Sequence, residues 1–87
     1  MKEITLKNGF TVDAGDLNTD DYELFEDMVE CETNQALVPS VMRRLLGEEA
    51  YKRFKDANRD EDGKVRVSAM QSSISELFAA IGEAKKK

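Results

Sequence analysis

The fold is decided by the stretch Leu37-Val38-Pro39-Ser40-Val41-Met42-Arg43-Arg44-Leu45-Leu46-Gly47-Glu48-Glu49-Ala50-Tyr51-Lys52-Arg53-Phe54. Its apolar residues come in pairs four positions apart: Leu37 with Val38, Val41 with Met42, Leu45 with Leu46. That spacing is the period of an α-helix with one apolar face. Pro39 falls in the first turn, where a missing backbone N–H leaves no hydrogen bond unmade. Gly47 suits a helix C-terminus, because glycine enters the left-handed region without steric cost. Glu48 then opens a second helix, which runs to about Ala57 and turns Ala50, Tyr51 and Phe54 inward. The prediction is a helix over Leu37–Leu46, a tight corner at Gly47, and a helix from Glu48 to Ala57.

Working outward, residues 58–67 read as a loop. A last helix starts at Ser68, with Gln71 completing an S-x-x-Q capping box. Met70, Ile74, Leu77, Phe78 and Ile81 form its apolar stripe, and Gly82 ends it. Upstream, Asp20 with Glu23 resembles a capping box, with Thr19 as the alternative cap. The helix that follows places Tyr22, Phe25, Met28 and Val29 on one stripe with Leu24 beside it, and fades between Cys31 and Asn34. The segment from Lys2 to Asp13 reads as a β-hairpin around Asn8-Gly9, a pair suited to a two-residue type I′ turn. Period-2 alternation puts Ile4, Leu6, Phe10 and Val12 on its buried face. The expected fold is mainly α: a small four-helix domain with a short N-terminal β-hairpin. One domain covers residues 1–87, with the hairpin at 2–13, the helical body at 20–82 and a frayed basic tail at 83–87.

Composition narrows the chemistry. The chain has 87 residues, 40% apolar and 36% charged, enough for one small core. It has no histidine and a single cysteine, Cys31. Nucleophile pairs built on histidine are therefore excluded, as are the usual zinc sites and an internal disulfide. Its five glycines are scattered singly, so no Gly-rich phosphate loop exists. This composition points away from an enzyme and from any cofactor. No run approaches the roughly 18–20 apolar residues of a membrane span, and Met1–Thr5 does not open a signal peptide. Cytoplasmic residence is the resulting expectation.

Charge is unevenly placed. Residues 13–32 hold nine acids and no base, whereas residues 33–87 hold eleven bases against eight acids. An acidic first third makes a poor nucleic-acid binder and a good match for a basic partner.

Two features invite a functional reading. The first is Asn58-Arg59-Asp60-Glu61-Asp62-Gly63-Lys64-Val65, which has the outline of an EF-hand loop. Asn58, Asp60 and Asp62 stand at positions 1, 3 and 5, and Gly63 at position 6. Position 12 requires a bidentate Glu and carries Ala69, and position 9 carries Arg66. The loop is thus a weak metal candidate, and an Asp-Gly turn is the plainer reading. The second is the pair of helix faces available to a partner. The apolar face of the 37–46 helix offers Val38, Val41, Met42 and Leu45, more apolar surface than so small a domain needs. The acidic face of the first helix offers Glu23, Glu26, Asp27 and Glu30. On this reading Met42→Asp abolishes partner binding and leaves the domain folded. Cys31, between Glu30 and Glu32, reads as a half-buried structural thiol, because neighbouring anions disfavour a thiolate.

The assembled pattern resembles a known family. The resemblance rests on the Lys7-Asn8-Gly9-Phe10-Thr11-Val12-Asp13 hairpin and the acidic Asp20-Asp21-Tyr22-Glu23-Leu24-Phe25 opening. It rests equally on Leu45-Leu46-Gly47-Glu48-Glu49-Ala50-Tyr51-Lys52-Arg53-Phe54, on Arg59–Val65 and on the final Met70–Ile81 helix. Together these resemble the small tail assembly chaperones of long-tailed bacteriophages of Gram-positive hosts. The resemblance implies a non-enzymatic protein that binds the phage tape measure protein and keeps it soluble while tail tube subunits assemble. It implies residence in the host bacterial cytoplasm and departure before the virion is mature. The tail tube protein and a second copy of the chain are further partners it allows. In such genes ribosomes often slip by −1 near the end, and Lys85-Lys86-Lys87 is compatible with an A-rich slippery run. Two other readings are a degenerate EF-hand-like calcium-binding module and a general protein-interaction adaptor.

Overall fold

The computed structural model describes residues 3–85, with side chains as far as Glu83. Strands β1 (Glu3–Thr5) and β2 (Thr11–Asp13) form an antiparallel hairpin with Glu3 opposite Asp13, Ile4 opposite Val12 and Thr5 opposite Thr11. Four α-helices follow: α1 (Tyr22–Glu30), α2 (Val38–Leu46), α3 (Glu48–Ala57) and α4 (Val67–Lys85). Short 3-10 turns at Ala14–Asp16 and Gln35–Leu37 lie in the connections before α1 and α2. The expected class, mainly α with an N-terminal hairpin, is the one observed. Lys2, assigned to the hairpin from sequence, lies outside the described residues, as do Lys86 and Lys87 of the expected tail.

The hairpin turn is one residue longer than a two-residue type I′ loop. Gly9 N donates to Leu6 O at 3.0 Å and Leu6 N donates to Phe10 O at 2.9 Å, so residues 7–9 form the loop. Among them Gly9 alone has positive φ, at 93°. A three-residue loop of this kind needs the left-handed conformation only at its last position, which glycine adopts freely. Asn8 is thereby left free to use its side chain elsewhere. The expected buried face is present, with Ile4, Leu6, Phe10 and Val12 all in the core.

α1 is capped by Asp21, whose Oδ1 accepts from Leu24 N at 3.1 Å, and not by Asp20 or Thr19. The corner between α2 and α3 forms as expected. Gly47, with φ 85° and ψ 162°, is at once the C-cap of α2 and the N-cap of α3. This extended, positive-φ conformation is nearly exclusive to glycine and lets the chain turn without a linker. α4 begins one residue earlier than expected, at Val67. Ser68 and Gln71 are exposed within its first turns, and the anticipated capping box is not what starts it. Gly82 does not end α4, which continues to Lys85 and takes up part of the expected frayed tail. Helix propensity at Gly82 costs only about 1 kcal/mol, and the residues around it are good helix formers.

The core is contributed by every element. Leu24, Val41, Met42, Leu45, Phe54 and Leu77 are essentially inaccessible. Phe10 meets Phe54 edge to face, with centroids 5.1 Å apart and planes at 89°. Such a pair adds about 0.5–1.5 kcal/mol beyond its buried area and fastens the hairpin onto α3. Arg53 lies over the outer face of Phe10 at 5.4 Å and donates to Thr11 O at 3.0 Å. No helix among the described residues is long and apolar enough to cross a membrane.

Candidate functional site

Helix α2 does not present its apolar face to a partner. Val41, Met42 and Leu45 are 0%, 0% and 1% exposed, packed into the core. The expectation that they form a binding surface is therefore corrected. The face is rich because it is met from more than one side, by α1 and by α3, and a helix at the centre of a small domain needs apolar side chains over much of its circumference. Val38 is the exception. It is half-buried and, with exposed Pro39, reaches the surface at the start of α2.

Helix α1 supplies an exposed apolar surface, and the stripe of Tyr22, Phe25, Met28 and Val29 expected from sequence is split by it, with Met28 on the other side. At about 100° per residue, Leu24, Met28 and Cys31 share one side of the helix, and Tyr22, Phe25 and Val29 share another. The first set faces the core. The second is exposed, Tyr22 at 72%, Phe25 at 55% and Val29 at 57%. The signal was present in the sequence as two apolar stripes on one short helix, more than one buried face can use.

Glu23, Glu26 and Glu30 lie along the free side of that stripe and are exposed. None of the three forms an ion pair with a described residue. Asp27 differs: its Oδ2 accepts from Arg44 Nη1 at 2.7 Å, linking α1 to α2 across a partly exposed bridge. The acidic candidates are thus brought together on one helix, with Asp27 already engaged.

A trough runs between α4 and the segment that joins α1 to α2. Its larger part, about 750 Å³, has Cys31, Val38 and Pro39 on one wall and Met70, Ile74 and Phe78 on the other. Val65 and Val67 close one end, and Val67 is 70% exposed. A smaller cavity of about 260 Å³ continues between α1 and the last turns of α4, lined by Phe25, Met28 and Ile81. Phe78 borders both. Cys31 Sγ donates to Met28 O at 3.1 Å inside this region. Burial, then Glu32 and Asp27 nearby, push its thiol above the ordinary range, so it stays protonated and poorly nucleophilic near neutrality.

The 58–65 loop is closed by its own hydrogen bonds. Asn58 points inward, donating to Phe54 O at 3.0 Å and accepting from Ser73 Oγ at 2.6 Å and from Asn8 Nδ2 at 3.2 Å. Asp60 Oδ1 accepts from Asp62 N and Lys64 N at 2.9 and 3.0 Å, and Oδ2 accepts from Arg66 Nε at 2.6 Å. The Lys64 amide and the Arg66 guanidinium hold the Asp60 carboxyl below the usual carboxylate range. Asp62 stands exposed, 3.9 Å from Arg66. As metal ligands the three are corrected: Asn58 is turned away, Asp60 is neutralised by the Arg66 guanidinium, and Asp62 faces the same Arg66. Among the described residues no group of three or more His, Cys, Asp or Glu side chains is arranged to hold a metal ion.

Compared with known proteins, the chain matches no protein-family model, and no curated protein or solved structure shows significant similarity to it.

Proposed function

We propose that this protein is a phage tail assembly chaperone that binds the tape measure protein and keeps it soluble while the tail tube assembles around it. The observation that supports this reading is the exposed stripe of Tyr22, Phe25 and Val29 beside Glu23, Glu26 and Glu30. The core closes without those three apolar side chains, so their exposure serves something outside the domain. A tape measure protein is long and rich in amphipathic helix. Unassembled, it exposes apolar faces that aggregate, and a small acidic domain can cover them reversibly while its net charge of −5 keeps the complex soluble. The resemblance across the hairpin, the acidic helix, the Gly47 corner and the 59–65 loop points the same way. The protein acts in the host cytoplasm and leaves before the virion matures.

The test is co-expression with the tape measure protein of the same phage genome. The expected result is that the tape measure stays soluble and co-purifies with the wild-type chain, and that a Tyr22→Ser/Val29→Ser variant recovers much less of it. A tape measure protein equally insoluble with and without this chain overturns the proposal. Intact mass spectrometry of the native gene's products adds an independent check, since a minor longer product reading through Lys85–Lys87 into the −1 frame is expected.

A further inference from the structure

The exposed stripe on α1 has two unlike edges. At about 100° per residue, Tyr22, Phe25 and Val29 fall within an arc of about 60° on the helix surface. Glu26 and then Glu30 come next on one side, one turn apart and both exposed. On the other side Phe25 leads into the smaller cavity, about 260 Å³, which it shares with Met28 of α1 and with Phe78 and Ile81 of α4. A cavity of about 150 Å³ already admits a benzene-sized group, so this one takes an aliphatic side chain. An apolar stripe with a pocket along one edge and carboxylates along the other is the counterpart of an amphipathic helix.

The charge around this face has one sign. No Lys or Arg occurs between residues 13 and 42, nor on α4 from Val67 to Glu83, so the stripe, the connections on both sides of α1 and the facing turns of α4 contribute none. Arg44 of α2 does meet α1, where Asp27 holds it at 2.7 Å and its charge also acts on Asp21 and Glu23. Arg43 is turned to Tyr51 and Glu48 of α3. Glu26 and Glu30 form no ion pair with a described residue. A second copy of the chain brings no base on its own α1 face, so it leaves these carboxylates unpaired or sets them against each other. A helix with Lys or Arg along one edge pairs them instead.

We propose that the outer face of α1 is the docking site of a partner's amphipathic helix, with Lys or Arg along the edge that meets Glu26 and Glu30 and one aliphatic side chain entering the cavity beside Phe25. The apolar stripe supplies contact area, and the carboxylate edge sets which helices are accepted. The proposal deepens the chaperone reading and rests on it for the source of that helix.

The experiment is a titration of the full-length isotope-labelled chain with a synthetic helix of about 14 residues. The probe carries a Leu stripe with Lys along its edges, and a second probe replaces each Lys by Glu. The expected result is saturable one-to-one binding of the Leu/Lys peptide, with amide shifts concentrated in Tyr22–Glu30 and Phe78–Gly82. The Leu/Glu peptide is expected to bind about tenfold more weakly. Glu26→Lys with Glu30→Lys is expected to reverse that order without moving the melting temperature, since both positions are exposed. Glu49→Lys with Glu61→Lys makes the same change of net charge at exposed positions on α3 and in the 58–65 loop, and is expected to keep the order. Where the α1 double variant melts early, Glu26→Gln with Glu30→Gln replaces it and is expected to narrow the difference to about twofold. Equal binding of the two peptides, an unchanged order in the α1 variants, a reversal in both Lys double variants, or shifts centred outside α1 overturns the assignment. So does a dimer formed through α1, since the face then belongs to a second copy. Tape measure capture separates the two ideas. Full capture by the α1 double variant sinks the carboxylate edge and spares the chaperone, whereas a wild-type chain that binds the Leu/Lys peptide on α1 yet captures no tape measure sinks the chaperone and spares the docking site.

Discussion

Ser73 on α4 donates its hydroxyl to the side-chain oxygen of Asn58 at the end of α3, 2.6 Å away, and both residues are buried. Asn8 of the hairpin turn completes the cluster, its Nδ2 donating to Asn58 Oδ1 at 3.2 Å and to Ser73 Oγ at 3.1 Å. Its own Oδ1 accepts from Phe10 N at 2.9 Å. Three elements distant in sequence are thereby fixed to one another through polar side chains, two of them buried. Among the described residues no buried side-chain nitrogen or oxygen lacks a partner.

Ser73→Ala leaves Asn58 Oδ1 with one donor in a low-dielectric setting. The expected cost is about 1–2 kcal/mol, a fall in melting temperature of about 5–10 °C for a domain of this size. Ser72→Ala, at the exposed neighbouring position, is expected to stay within about 0.5 kcal/mol. Equal melting temperatures for the two variants contradict the structural role of the cluster.

Met42 and the α1 stripe should behave oppositely. Met42→Ala removes a wholly buried side chain and is expected to cost about 2–5 kcal/mol in urea unfolding. Met42→Asp is expected to unfold the domain, since an unpaired carboxylate has no place in that core. Tyr22→Ser and Val29→Ser are expected to change stability by about 0.5 kcal/mol or less each. A Met42→Asp chain that melts cooperatively near the wild-type temperature shows that the α2 face is not core.

Calcium should not stabilise the fold. Asp60 already accepts from two backbone amides and from Arg66, and Asn58 is turned into the protein. The expected outcome is an unchanged melting temperature at millimolar Ca²⁺. Asp60→Ala is expected to lower stability equally with and without the ion, and to speed hydrogen exchange at the Lys64 amide. A calcium-dependent rise that Asp60→Ala removes reinstates a metal role for the loop.

Acid should loosen the start of α1 and the 60–64 loop first. The Leu24 amide bonded to Asp21, with Asn18 beside it, holds that carboxyl below its ordinary value, as Lys64 and Arg66 do for Asp60. A depressed folded value means the stabilisation is complete above the ordinary Asp value of about 3.9 and is lost as pH falls through the lower folded one. Faster exchange at Leu24 and Lys64 is expected over that interval, ahead of the α2 amides. Simultaneous loss everywhere shows that neither carboxylate acts locally.

Alkali should act through Cys31. Burial raises its thiol, so the stabilisation of the protonated form is complete below the ordinary thiol value of about 8.5. It is lost as pH rises through the folded value. Alkylation in the native state is expected to be slow at neutral pH and to match that of a free thiol only in urea. Rapid native alkylation at neutral pH shows an accessible thiolate.

Element order and the α2–α3 corner were legible in the sequence alone. The paired spacing from Leu37 to Leu46, the position of Pro39 and the single glycine between two helical patterns are local signals, and local backbone sterics enforce them. The buried face of the hairpin followed from its alternation for the same reason. The sequence did not show which stripe of α1 lies inside. Periodicity says that apolar residues share a face, but not which face a neighbour covers. Leu24, Met28 and Cys31 are met by the rest of the core, and the equally apolar Tyr22, Phe25 and Val29 are not. The same limit applies at Asn58, which has the spacing of a metal ligand and the surroundings of a buried hydrogen-bond hub. Residues 8 and 73 make it so, and only the tertiary structure brings them within reach.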